Sequence, residues 1–177
     1  MSALDRLRGE GFEHLGDLRL SSTLVCGDPR LLPTAPGVQW IGLATEPGPH
    51  VVLARAWKRD PDLLDEIVVV ARSVVEDDRV ERFWDLYDEA RDAGTCPLPS
   101  GRVAILDGAL RADELTLRSL VEPDELPWVL DRGIVAAAIR GGPARVFVGG
   151  GTPAVLVSVA LGPAPPQMAQ SAPQDEA

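Results

Sequence analysis

Short apolar segments punctuated by glycine and proline run through most of the chain, a pattern of strands rather than helices. Residues 1–16 predict a short, weak helix, with Leu4 and Leu7 on one side and Gly9 and Gly11 closing it. Leu18, Leu20, Leu24 and Val25 then predict one strand running through Ser21-Ser22-Thr23. Gly27-Asp28-Pro29 stops it, because proline has no N–H to give a ladder. Val38 to Thr45 reads as a second strand and Glu46-Pro47-Gly48-Pro49 as a turn. Val51 to Trp57 is apolar on both of its faces, as in a strand buried on both sides. Asp60-Pro61-Asp62 reads as another turn, and Glu66 to Val75 is dense in β-branched residues that pack well on a pleated surface. These two strands are expected to pair as an antiparallel hairpin.

Only one segment has clear helical spacing. Val80, Phe83, Trp84 and Tyr87 fall at i, i+3, i+4 and i+7, predicting a helix over Asp77 to Asp92 with Gly94 just beyond its end. Ser100 to Asp107 is again strand-like, 109–121 slightly favours a short helix, and Glu122 to Pro127 reads as a turn. Gly133 to Ile139, Ala144 to Val148 and Ala154 to Leu161 predict three strands, joined by hairpin-length connections at 140–143 and 149–153. Residues 1–162 make one globular domain on this reading. The proline-rich tail 163–177 has little to bury and is expected to be disordered.

The segment Ser21 to Asp28 is echoed by Ser100 to Asp107: a small polar start, an apolar middle and a terminal aspartate. The fold expected is therefore mainly β with one principal helix, a β-sandwich or partly closed barrel. Its two similar β halves would pack face to face. The core would draw on Leu24, Trp40, Ile41, Leu43, Val51, Leu53, Trp57, Val69, Phe83, Trp84, Val103, Ile105, Trp128, Ile134, Val146, Phe147, Val155 and Val157. The four tryptophans also admit a second use, lining a ligand pocket.

Composition narrows the function classes. The chain has 177 residues, 45% hydrophobic and 25% charged, with a formal net charge of −10. That charge argues against nucleic acid or an anionic membrane as partner. No run approaches the ~20 apolar residues of a membrane helix, and the opening residues lack a signal peptide's apolar core. A cytoplasmic location is expected. Sixteen of the 17 basic residues are arginine and asparagine is absent, which reads as the codon bias of a GC-rich genome rather than as phosphate binding.

No familiar catalytic or metal-binding arrangement emerges. The chain has no G-x-S-x-G elbow, and its histidines are His14 and His50, the latter in a turn where a solvated side chain is expected. Cys26 sits in an apolar strand and should behave as a small buried hydrophobe with a raised pKa, whereas Cys96, flanked by a proline, should be the more accessible. Asp60, Asp62, Asp65 and Glu66 resemble a calcium loop in spacing, but Pro61 and the missing glycine and distal glutamate spoil it. Gly149-Gly150-Gly151-Thr152 lacks the lysine of a phosphate loop. No metal or cofactor is implied.

Charge distribution is the stronger signal. Between Asp60 and Asp92 there are 12 acids against 4 arginines. Glu81, Asp85, Asp88, Glu89 and Asp92 would form an acidic surface for a basic partner protein, several of them at the helix end where the macrodipole disfavours them. The alternative is a small-molecule binder or hydrolase in which Asp28 and Asp107 converge in one cleft as an acid/base pair.

The chain also resembles a β-rich bacterial family described only as a domain of unknown function. The likeness is carried by Gly16, Leu18, Leu20, Ser22, Cys26, Asp28 and Pro29, a G-x-L-x-L-x-S strand ending in a C-x-D-P turn, and by Ser100, Gly101 and Asp107. It departs near the C-terminus, where Gly141-Gly142-Pro143 replaces a G-D-G and no acidic-aromatic pair follows the last strand. That family has no established activity; its setting among toxin and immunity genes implies an immunity-type inhibitor. A non-enzymatic protein-binding module is the expectation that follows.

Overall fold

The computed structural model describes residues 2–29, 40–57, 60–76, 78–109, 128–138 and 142–161. In chain order these form α1 (Ala3–Gly9), β1 (Glu13–Leu20), β2 (Thr23–Gly27), β3 (Ile41–Ala44), β4 (Gly48–Trp57), β5 (Asp60–Ala71), α2 (Arg72–Val75), α3 (Glu81–Asp88), β6 (Arg91–Cys96), β7 (Arg102–Asp107), β8 (Trp128–Leu130), β9 (Gly133–Ala137), β10 (Ala144–Gly149) and β11 (Leu156–Ala160). The tail 163–177, the turn at 122–127 and all but Ala109 of the 109–121 segment lie outside the described residues.

Two antiparallel sheets pack face to face without closing into a barrel. The larger has the order β1-β4-β5-β11-β10-β6 and the smaller β3-β2-β7-β9-β8. Alternation along each strand decides what lies between them. Val52, Ala54, Ile67, Val69, Val146 and Val157 of the larger sheet meet Leu24, Cys26, Val103, Ile105, Ile134 and Ala136 of the smaller. On the outer face of the larger sheet, Val51, Leu53, Val68, Val70 and Leu156 are covered by Leu7 of α1, Val74 of α2 and Phe83 of α3. β4 and β5 are thus buried on both faces, which is why their apolar runs are nearly continuous. Each such side chain contributes roughly 1.5–3 kcal/mol by leaving water.

α1 forms because Ser2 and Asp5 cap it reciprocally: the Ser2 hydroxyl accepts from the Asp5 backbone N–H, and the Asp5 carboxylate accepts from the Ser2 backbone N–H. α3 lies so close over the larger sheet that a side chain at Gly149 would run into the Leu86 carbonyl.

The strand order repeats itself. In the larger sheet β1-β4-β5 is followed, in reverse, by β11-β10-β6, and the smaller sheet places β3-β2 against β7-β9 with β8 added at one edge. α1 precedes β1 as α3 precedes β6. Both edge strands of the larger sheet break register at matching places, between His14 and Gly16 in β1 and opposite Val146/Phe147 in β6. The sequence echo falls on β2 and β7. The two halves are not stacked face to face as expected, however. Each supplies strands to both sheets, and the halves meet at the β5–β11 and β2–β7 pairs.

Other boundaries also differ from expectation. The single strand expected through Ser21-Ser22-Thr23 is two strands in different sheets. β5 begins at Asp60, through the expected turn, and gives way at Arg72 to α2. The helix expected over Asp77 to Asp92 is only Glu81–Asp88, and Arg91 and Asp92 belong to β6. β9 and β10 are not a hairpin, since they belong to different sheets; β10 and β11 do pair. Of the expected core, Ile41, Leu43, Trp84, Phe147 and Val155 are only half-buried. The side chains of Trp57 and Trp128 lie outside the description.

Candidate functional site

α3 presents two different faces. Phe83 is fully buried, and Val80, Trp84, Leu86 and Tyr87 pack against the same core. Glu81, Arg82, Asp85, Asp88 and Glu89 are exposed. Glu81, Asp85 and Asp88 stand at i, i+4 and i+7 and so share one outward stripe. No basic residue occupies the last turn of α3, so the acids there face the negative end of the macrodipole uncompensated, at roughly 0.3–1 kcal/mol each at most. Asp92 is not on this helix. It lies on edge strand β6, exposed, where its carboxylate accepts the Gly94 backbone N–H at 2.7 Å beside the register break.

Asp28 and Asp107 are both fully buried, but the structure does not bring them together. β2 and β7 run antiparallel with Leu24 opposite Asp107 and Gly27 opposite Ala104. The two carboxylates therefore stand four residues apart along the ladder, about 13 Å at the usual rise. Each clasps the serine that begins the other strand's echo. Asp28 accepts from the Ser100 backbone N–H at 2.8 Å and its hydroxyl at 2.7 Å. Asp107 accepts from the Ser21 hydroxyl at 2.7 Å and from Arg132 at 3.0 Å. This reciprocal arrangement fastens the smaller sheet at both ends and does not form the single cleft that an acid pair requires.

Cys26 and Cys96 are free thiols, both buried. Burial of Cys96 departs from the accessible position expected, because β6 carries it into the layer between the sheets. Interaction with Cys96 and then burial push the Cys26 thiol well up, and the same interaction draws the Cys96 thiol down against burial. Trp40 covers Gly27 on the outer face of the smaller sheet, whereas Trp84 lies in the helical layer, so these two tryptophans line no common pocket.

His50 is buried rather than solvated, since β4 begins at Gly48 and directs its side chain into the sandwich. Its Nδ1 lies 3.0 Å from the Gly48 carbonyl, and its Nε2 finds no partner among the described residues. Burial pushes its pKa below the ordinary 6.5, outweighing the Gly48 carbonyl and Glu46. The unfolded chain then binds more protons than the native one as pH falls through about 6.5, so stability must fall with it. Urea unfolding on either side of that pH should show this loss, and H50Q should flatten the dependence between those pH values.

Sequence reasoning missed a cluster beneath α3. Glu66 is 8% exposed. Its carboxylate accepts from the Tyr87 hydroxyl at 2.9 and 2.7 Å and from the Ser158 hydroxyl at 2.7 Å. Burial and then the neighbouring Glu66 charge hold the Tyr87 phenol well above its ordinary pKa. The only available signals were the acid that directly adjoins the run Ile67-Val68-Val69-Val70 and a lone serine within Leu156-Val157-Ser158-Val159. Cross-strand register puts Ser158 diagonal to Glu66.

Among the described residues no group of three or more histidine, cysteine or acidic side chains is placed to hold a metal ion. No helix among them is long and apolar enough to cross a membrane. Comparison with protein-family models, curated proteins and solved structures found no match.

Proposed function

We propose that the protein is a non-enzymatic binding module that engages a basic protein through the outward face of α3, in the manner of an immunity-type inhibitor. The observation that carries this reading is the exposed stripe of Glu81, Asp85 and Asp88, extended by Glu89, on a helix whose other face is committed to the core. Asp85, Asp88 and Glu89 stand at the end of the helix where acids weaken it, so their use lies outside it. A surface of one sign speeds encounter with a partner of the opposite sign and acts over roughly a Debye length, about 8 Å in physiological salt. Asp92 adds a carboxylate from β6, and Arg79 and Arg82, which line one hollow with Glu81 and Asp85, interrupt the negative surface and set its charge pattern.

Reversing Asp85, Asp88 and Glu89 to lysine tests the reading. In surface-immobilised capture at low salt the native chain should retain a basic protein, and the reversed chain should associate about tenfold or more slowly. High salt should bring the native chain down to the reversed one. Capture that ignores both salt and charge reversal refutes the proposal.

A further inference from the structure

The two cysteines stand at a corner where one sheet hands the chain to the other. Cys26 lies in β2, within the smaller sheet, and Cys96 ends β6, the outermost strand of the larger. Both side chains belong to the layer between the sheets, and neither exposes more than 2% of its surface. Packed sheets stand about 10 Å apart, whereas a disulfide needs Cα atoms about 4.4–6.8 Å apart, so a bridge fits only where sheets converge. Two contacts bring them together here. Ile41, which pairs with Cys26, lies so near β6 that a Cβ at Gly94 would stand 3.6 Å from its Cδ1. From Cys96 the chain crosses to the smaller sheet, and at Ser100 it is clasped by Asp28 at 2.7 and 2.8 Å. Segments 26–28 and 96–100 are thereby held side by side, with one thiol on each.

The two thiols also differ in character. Interaction with Cys26 draws the Cys96 thiol down although burial opposes it, whereas interaction with Cys96 joins burial in pushing the Cys26 thiol up. Since the thiolate is the nucleophile, Cys96 is the one placed to react first and Cys26 the one that keeps its proton. The outward face of α3 uses neither.

We propose that Cys26 and Cys96 are a reversible redox pair, which hydrogen peroxide closes into a disulfide between the two sheets. The Cys96 sulfur attacks one peroxide oxygen and the O–O bond breaks. The departing hydroxide takes up the Cys96 proton and leaves as water, and Cys96 becomes a sulfenic acid. The Cys26 sulfur then attacks the Cys96 sulfur, its proton joins the departing hydroxyl, and a second water leaves. Two thiols have lost two protons and two electrons, and one peroxide has become two waters. A dithiol reductant reverses the bond by exchange. The closed form ties edge strand β6 to the interior of the smaller sheet by a covalent bond, where apolar packing alone had joined the two layers.

Peroxide treatment of the full chain, followed by intact-mass measurement without reductant, tests this. A monomer lighter by two hydrogens is expected, with its proteolytic peptides joined at Cys26 and Cys96. The bond closes a loop of about 70 residues, so the oxidised chain should melt at least about 5 °C above the reduced one, and dithiothreitol should restore the lower value. C26A removes the second thiol and should leave Cys96 as a sulfenic acid that dimedone labels, whereas C96A should leave Cys26 unlabelled at the same dose. If either variant fails to fold, the native chain decides alone through its mass and the mapped link. Thiols that serve only as small core hydrophobes would stay free at every dose that leaves the chain folded, and that result overturns the proposal. So does a bond formed only between copies of the chain, or an oxidised form that melts no higher than the reduced one.

Discussion

Replacing Phe83 with alanine is expected to destabilise the protein by about 3–5 kcal/mol, the range for deleting a large aromatic from a core. Phe83 has no exposed surface and packs against three other rings. Phe12 meets it edge-on at 5.7 Å, Trp84 edge-on at 5.2 Å, and Tyr87 stacks on it at 5.8 Å. The ring joins α1's approach to β1, α3 and the larger sheet in one contact set, so little can collapse into the space it leaves. Against a typical total of about 5–15 kcal/mol, that loss is large. For a chain of this size it corresponds to a fall in melting temperature of roughly 10 °C. A fall of only a degree or two would mean that α3 is not anchored as described, and the presentation of its acidic face would need another explanation.

The second large effect is expected at the two aspartate clasps. D107A removes a buried carboxylate that receives the Ser21 hydroxyl and the Arg132 guanidinium. D28A removes the acceptor of both the backbone N–H and the hydroxyl of Ser100. Hydrogen bonds to a charged group contribute about 1.5–3 kcal/mol each, but Ser21 and Arg132 can turn to water once released. A loss of about 2–4 kcal/mol per aspartate follows. Because the two clasps stand at opposite ends of the β2–β7 ladder, the double variant should be additive within about 0.5 kcal/mol. Denaturant unfolding of the two single variants and the double checks this. Strong coupling between them would instead place the carboxylates in one shared site, as an acid pair requires.

The paired strands were the most legible part of the fold. Val51 to Trp57 and the β-branched run after Glu66 announce their burial on both faces, and they do pair as β4 and β5. Passage between sheets was not legible, for a geometric reason. Leu18 and Leu20 face the interior from the larger sheet, and Leu24 and Cys26 face it from the smaller. The even-numbered alternation stays in phase while the chain turns through Ser21-Ser22, so periodicity reads one strand where there are two. Sequence spacing overextends the helix because polar residues after Asp88 fit a solvated helix as well as an edge strand, and Gly94 suits a helix end although it belongs to the register break in β6. The apolar stripe Val80, Phe83, Trp84 and Tyr87 does face the core, because spacing within one helix fixes which residues share a face. The Glu66, Tyr87 and Ser158 cluster joins three separate elements, and single-sequence spacing carries no information about which strands become neighbours.

Both central ladders unite the first half of the chain with the second, and this governs when the molecule can acquire its shape. β2 has no inner neighbour until β7 has been made, and β5 must wait for β11, the last strand described. Loop closure on that scale precedes any reward from the contacts it permits, so folding should be slow for the protein's size. A nascent chain on the ribosome would hold β2 with an open edge until β7 had emerged, and β5 with one until nearly the whole sequence had. That interval is when mispairing between neighbouring chains is most favoured.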